Sequence, residues 1–82
     1  MPWYLYILRC GDGTFYTGVT DNVERRLEAH RAGKGAKYTR GRGPLELVYR
    51  EELPDKSAAL RREIAVKRLN RREKLALIGE EK

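Results

Sequence analysis

The sequence predicts a small α/β (α+β) fold with a sheet of about three strands and three helices, in the order ββαβαα. Three observations support this fold class. Two runs rich in aromatic and β-branched residues lie near the start and are separated by glycines, as is typical of a β-hairpin. Three later stretches have a polar capping residue followed by helical spacing. Between the first two of these stretches lies another β-rich run, bounded by Pro44 and Pro54.

The predicted hairpin joins residues 3–8 to residues 14–19 through the Gly-Asp-Gly turn at residues 11–13. Side chains of a strand alternate between the two faces of a sheet. In the first run the even-numbered and the odd-numbered positions are both apolar or aromatic. We therefore expect both faces of this strand to be at least partly covered.

The first helix is expected to follow the hairpin directly. Asp21, followed three residues later by Glu24, predicts its capping arrangement, and Val23, Leu27 and His30 then follow helical spacing.

The segment 31–42 comes next. It holds five basic residues, three glycines and no acid, which indicates a mobile basic loop.

The third strand is predicted over residues 45–50, where Leu45, Leu47 and Tyr49 alternate onto one face. Pro54 and the residue after it end this strand.

Two helices complete the chain. Asp55 or Ser57 is expected to cap a second helix over residues 58–69. Asn70, followed by Glu73, predicts the cap of a short third helix that ends near Gly79.

Length and composition exclude several classes of protein. The 82 residues suffice for a single domain, residues 1–82, and their formal net charge of +6 favours a polyanionic partner such as nucleic acid. Cys10 and His30 are the only residues of their kinds, so a disulfide framework or zinc cluster is not expected, and any metal must bind to oxygen. No run of about 20 apolar residues is present, and we expect a cytoplasmic protein.

Glu63 is the polar residue that packing explains least. Helical spacing places it within the apolar stripe of the second helix, between Leu60 and Val66. One interpretation is an ordinary i,i+4 ion pair with Lys67. The other is a metal ligand at the rim of a cleft, where Mg²⁺ would retain several water ligands.

Four further residues have side chains suited to phosphoryl chemistry. Arg26 and His30 lie one helical turn apart, and they combine a planar cation for phosphate with a group that titrates near neutrality. Tyr6 and Tyr16 lie on the two hairpin strands, ten residues apart, so their phenols can meet. The alternative is a solvated arginine, a boundary histidine and two core tyrosines.

Taken in order, these residues resemble the motifs of the GIY-YIG nuclease superfamily, and specifically of its small stand-alone bacterial members. The first motif falls on residues 4–6 (Tyr-Leu-Tyr) and the second on residues 16–18 (Tyr-Thr-Gly). Arg26, His30 and Glu63 follow at spacings compatible with the family's helix arginine, its histidine or tyrosine, and its metal-binding glutamate. The resemblance covers nearly the whole chain.

The resemblance implies a central three-stranded antiparallel sheet flanked by helices. It also implies a metal-dependent endonuclease that hydrolyses phosphodiester bonds in DNA or RNA, with a role in DNA repair or recombination. In this chain Glu63 would hold one divalent ion, Mg²⁺ or Mn²⁺, and Arg26 would pair with the phosphate. Tyr6, helped by Tyr16, would accept a proton from the attacking water. His30 would orient this base or replace it.

The basic residues are expected to bind the substrate, more readily DNA than RNA, with an affinity that falls steeply with salt. Larger family members place a lysine soon after the second motif, where this chain has Val19 and Thr20, so that contact is absent or is supplied by Lys67 or the basic loop. Two alternatives stay open: a nucleic-acid-binding module with this fold and little turnover, and a domain that binds an acidic protein. The residues predicted to contact nucleic acid are Lys34, Lys37, Tyr38, Arg40, Arg42 and Lys67.

Overall fold

The computed structural model describes residues 2–33 and 43–79. Its helices and strands follow the predicted order: β1 (Trp3–Arg9), β2 (Phe15–Thr20), α1 (Val23–Arg31), β3 (Glu46–Leu53), α2 (Lys56–Lys67) and α3 (Arg71–Ile78). The predicted fold class and the order ββαβαα are confirmed. None of the described helices is long and apolar enough to cross a membrane.

The three strands form one antiparallel sheet in the order β2-β1-β3, so β1 is the central strand. The hairpin turn is closed by Asp12, whose Oδ1 accepts hydrogen bonds from the backbone N–H of Thr14 (3.1 Å) and from its hydroxyl (2.6 Å). Gly13 has φ +86°, in the left-handed region that glycine adopts without steric cost. The predicted hairpin is therefore confirmed, both in the pairing of its strands and in its turn.

Both faces of β1 are buried, as the apolar and aromatic residues at its even- and odd-numbered positions predict. Tyr6 and Leu8 point to one face, where Leu27 of α1 packs against their cluster. Leu5 and Ile7 point to the opposite face and pack with Val66 of α2, together with residues of α3. The sheet thus lies between α1 on one side and α2 with α3 on the other.

The third strand differs from the prediction in length and in side-chain direction. It continues to Leu53, and a β-bulge falls at Val48, because Tyr49 pairs with Ile7 while Leu47 pairs with the next residue of β1. The extra residue reverses the alternation. Leu47 therefore packs on the α1 face and Tyr49 on the α2 face, so the prediction that they share one face is wrong.

The helix caps confirm most of the predicted boundaries. The prediction that Asp21 caps α1 is wrong, because the neighbouring Asn22 accepts from the N–H of Arg25 at 3.0 Å. Asp55 caps α2, which therefore begins at Lys56, two residues earlier than predicted.

The third helix has the predicted capping box. The side chain of Asn70 accepts from the backbone N–H of Glu73, whose carboxylate accepts in turn from the N–H of Asn70. Gly79 ends the helix in the left-handed conformation.

Replacing Ile7 by Ala tests the importance of the α2 face of β1. Ile7 is fully buried, so Ile7→Ala should lower the free energy of unfolding by about 2–5 kcal/mol, measured by urea denaturation. The same substitution at Ile64, which is 54% exposed on α2, should change it by less than about 1 kcal/mol. Equal losses at the two positions would contradict the described core.

Candidate active site

The candidate site is built around Tyr6, which β1 directs towards α1. Tyr6 pairs with Gly18 across the hairpin, and its phenol lies against the backbone of that glycine. A Cβ atom at Gly18 would be 2.6 Å from Tyr6 Oη and 3.1 Å from a ring carbon of Tyr16. The glycine of the second motif therefore makes room for both phenol rings, which any larger residue would displace.

Helix α1 brings the basic groups to this phenol. His30 Nε2 lies 2.9 Å from Tyr6 Oη, and Arg26 donates from Nε to the same oxygen at 3.4 Å. Arg26 and His30 are one turn apart and so project from the same side of the helix. Tyr6 and His30 are each only 2% exposed. The structure therefore brings Tyr6, Arg26 and His30 into contact with one another.

Tyr16 completes the cluster from β2. Its ring centroid is 5.2 Å from that of His30 and 6.2 Å from that of Tyr6, in tilted, edge-on geometries favoured by aromatic rings. The structure thus brings four of the five predicted catalytic residues into one cluster on the α1 face.

Burial sets the charges in this cluster. It raises the pKa of the Tyr6 phenol to about 12, although the hydrogen bond from Arg26 acts in the opposite direction. Burial, together with the positive charge of Arg26, lowers the pKa of the His30 imidazole below its usual value. The hydrogen bond to Tyr6 raises the pKa of Arg26 further. At neutral pH the cluster therefore holds one cation beside a neutral phenol and a neutral imidazole.

The fifth predicted residue, Glu63, lies on α2. Its side chain is 19% exposed, and its Oε2 is 3.3 Å from Nζ of Lys67. Of the two interpretations of Glu63, the i,i+4 ion pair is observed. Helix α2 is held against the sheet by Arg62, which donates from Nε to Glu51 of β3 at 3.0 Å, while Tyr49 donates to the same carboxylate at 2.6 Å. This network fixes the helix that carries Glu63.

The donor set around Glu63 limits the kind of metal it can hold. Within residues 2–33 and 43–79, no group of three or more His, Cys, Asp or Glu side chains could hold a metal ion. A structural metal site is therefore not supported by the described residues. Mg²⁺ in phosphoryl-transfer sites is held by one or two carboxylates, with water and substrate phosphates as the remaining ligands. A single half-buried carboxylate fits that kind of ion.

The predicted nucleic-acid contacts divide into two groups. Lys67 lines a cleft of about 220 Å³ together with Tyr16 of the candidate site and with Lys74 of α3. Sequence reasoning did not single out this cleft, because it is formed by three separate elements. The other predicted contacts lie outside the described residues: Lys34, Lys37, Tyr38, Arg40 and Arg42.

Comparisons with known proteins agree with this arrangement. The family model described as the GIY-YIG catalytic domain matches residues 2–76. A UPF0213 protein of Natronomonas pharaonis is 55% identical over 78 residues, which cover 95% of this chain and 92% of that protein.

Two solution NMR structures are similar to this chain. That of a UPF0213 protein from Bacillus halodurans matches with a TM-score of 0.62 and 53% identity. That of a protein from E. faecalis matches with a TM-score of 0.67 and 40% identity. Each match covers 96% of this chain and 84% of the other.

The raised pKa of Tyr6 predicts a specific loss of stability in alkali. The unfolded chain releases the Tyr6 proton near pH 10.0 and the folded chain near pH 12. The stability that the protonated Tyr6 phenol contributes is therefore fully present below pH 10 and is lost as the pH rises from 10 to 12. Relative to Tyr6→Phe, the wild-type free energy of unfolding should fall by about 2–3 kcal/mol over this range. Urea denaturation at several pH values measures the difference.

Proposed function

The chain belongs to the GIY-YIG nuclease superfamily, and from that premise we propose that it is a metal-dependent endonuclease hydrolysing phosphodiester bonds of nucleic acid, DNA more readily than RNA. The contact of Tyr6, His30 and Arg26 within one buried cluster carries the proposal. Packing alone does not require a phenol, an imidazole and a guanidinium at one point. Together they offer a proton acceptor and a phosphate-binding cation.

The pKa values favour one sequence of proton transfers. Tyr6, with a pKa near 12, is a poor base if it must keep its charge. His30 is neutral and lies 2.9 Å from Tyr6 Oη, so it can take the phenol proton as the phenol accepts one from the attacking water. The proton then rests on His30 and the phenol stays neutral. Hydroxide adds to phosphorus as the bond from phosphorus to the 3′ oxygen breaks, and the departing 3′ oxygen takes a proton from solvent water. This assigns His30 as the terminal acceptor and Tyr6 as the group that contacts water.

Arg26 has two roles in this proposal. Its Nε holds the phenol, while the delocalised charge of its guanidinium can stabilise the oxygens of the phosphate as negative charge develops there. Glu63 would hold Mg²⁺ or Mn²⁺, which supplies Lewis-acid stabilisation of the phosphate and the leaving 3′ oxygen. A role in DNA repair or recombination is the biological setting that we propose for such cleavage.

A second function is favoured by two observations. Tyr6 and His30 are each 2% exposed, and the carboxylate of Glu63 is already paired with Lys67. These features suit a nucleic-acid-binding module that retains the fold and has little turnover. Cleavage assays separate the two functions, because only the nuclease requires Glu63 for metal-dependent cuts.

Substitution of Glu63 tests the nuclease directly. Glu63→Gln should abolish Mg²⁺-dependent cleavage of a panel of single-stranded, duplex, flapped and branched DNA and RNA. It should leave the fold and nucleic-acid affinity nearly intact, because the pair it breaks is partly exposed and contributes about 1 kcal/mol or less. The control is Glu52→Gln, an equal charge change at an exposed position of β3. Binding without any metal-dependent cut in the wild type would favour the second function.

Arg26 should matter for turnover more than for binding. Arg26→Ala should lower the single-turnover rate by about 10²–10³-fold while the dissociation constant changes little, because its contribution grows in the transition state. Arg25→Ala removes a neighbouring exposed arginine from the same helix and should spare the rate. A loss confined to affinity would make Arg26 a docking residue instead.

A further inference from the structure

The cleft beside the candidate active site has an unusual lining. It is formed by three consecutive residues of β2 (Phe15, Tyr16 and Thr17) and by two lysines, Lys67 at the end of α2 and Lys74 on α3. Consecutive strand residues point to opposite faces of a sheet. Because β2 is an edge strand of the described sheet, the cleft lies along the border of the sheet, between β2 and the two helices.

The charge around this cleft is predominantly positive. Two ammonium groups line it, and the acid paired with one of them is Glu63. Further cations lie close by, because the guanidinium of Arg71 is 5.0 Å and that of Arg9 is 5.9 Å from the ring centroid of Phe15. Such a surface favours an anionic occupant.

Thr17 supplies a second, independent observation. It is 4% exposed, and its Oγ1 is a buried side-chain atom without a hydrogen-bond partner in the part of the chain that the structure describes. Buried polar groups are nearly always satisfied, so an orphaned hydroxyl in a cleft wall indicates a missing partner. Because Oγ1 is itself buried, the hydroxyl reaches a ligand in the cleft only when the side chain adopts another χ1 rotamer.

We propose that this cleft is a second phosphate subsite, in which Lys67, Lys74 and the Thr17 hydroxyl bind a backbone phosphate next to the phosphate that is cut. The volume of about 220 Å³ is below the roughly 300–1,000 Å³ typical of small-molecule and cofactor pockets. It suits a phosphate with its adjoining sugar and some water. The Phe15 ring forms an apolar wall for that sugar or for a base.

The position of Tyr16 connects this subsite to the reaction. Tyr16 lines the cleft and also contacts His30 in the candidate active site, with 5.2 Å between their ring centroids. In this proposal, a strand held by one phosphate in the cleft would place a neighbouring phosphate on the side of β2 where Tyr16 meets His30. This inference rests on the proposed function for the meaning of the neighbouring site, but phosphate binding in the cleft requires no cleavage.

The test uses ¹⁵N-labelled protein and NMR titration, without metal. The probe is the dinucleotide d(TpT), which has one internal phosphate, and its control is the neutral methylphosphonate analogue. Thymidine 5′-monophosphate forms a third arm that distinguishes a terminal from an internal phosphate. Lys74→Met removes one cleft cation and leaves the Glu63–Lys67 pair in place. The control is Lys56→Met, which makes the same charge change at the end of α2 that is opposite to Lys67.

With d(TpT), we expect amide shifts concentrated at residues 15–17 and at Lys74. Lys74→Met should weaken binding by about five- to tenfold, and Lys56→Met by less than about twofold. Equal weakening by both variants, equal binding of the neutral analogue, or stronger binding of the monophosphate would overturn the subsite for an internal phosphate. If one of these binding results were found, but the wild type cleaved nucleic acid and Glu63→Gln did not, the subsite would be rejected and the proposed nuclease activity would still be supported. Binding in the cleft without cleavage would support the subsite and reject the nuclease.

Thr17→Val provides a second variant that keeps the shape of the side chain. It removes an unpaired hydroxyl, so the melting temperature should stay the same or rise, while d(TpT) binding should weaken by about fivefold. A lower melting temperature with an unchanged dissociation constant would show that the hydroxyl serves the fold alone, and would remove Thr17 from the subsite.

Discussion

The burial of β1 on both faces is the constraint on which the rest of the structure depends. Leu5, Tyr6, Ile7 and Leu8 are consecutive and each no more than 2% exposed, so the strand must be central and must be covered by helices on both sides. Because its side chains alternate, the same strand supplies apolar packing to α2 and directs a phenol towards α1. The register also sets Tyr6 opposite Gly18, where the lack of a side chain leaves room for its ring. Formation of the core therefore positions the central group of the candidate active site.

Burying ionisable groups in this way limits the charge that they can carry. A low-dielectric surrounding disfavours both a phenolate and an imidazolium, so the Tyr6–His30 pair is most stable with both groups neutral. Arg26 keeps its charge because the guanidinium is strongly basic, and it lies at the partly exposed edge of the cluster. The positive charge is thus presented towards solvent, where a phosphate can approach, and the groups able to exchange a proton lie behind it. The lowered pKa of His30 keeps its imidazole neutral and free to accept a proton at neutral pH, while the same burial opposes the imidazolium that forms.

Local patterns predicted the parts of the fold that depend on nearby residues. The turn at residues 11–13 and the capping box of Asn70 and Glu73 were predicted because their donors and acceptors are within a few residues of each other. The bulge at Val48 depends on the pairing of β3 with β1, so the alternation of the isolated segment gave the wrong face for Tyr49. Likewise, the motifs predicted the cluster of Tyr6, Tyr16, Arg26 and His30, but not the cleft lined by Thr17 and Lys74. The spacing of residues along the sequence does not indicate that an edge strand and two separate helices come together to form a cleft.

Glu63 shows how one contact can fit both the ordinary and the functional interpretation. In the free protein its carboxylate and the ammonium of Lys67 neutralise each other, 3.3 Å apart, as in many surface helices. Lys67 also lines the cleft, so a phosphate bound there would compete with Glu63 for the same ammonium. Any shift of Lys67 towards the phosphate would leave the carboxylate with uncompensated negative charge, which increases its attraction for a divalent cation. Substrate and metal would then bind with weak cooperativity, because the ion pair contributes about 1 kcal/mol or less and so limits the coupling to about fivefold. On the proposed function, the ion pair would be the arrangement of this site before nucleic acid and metal bind.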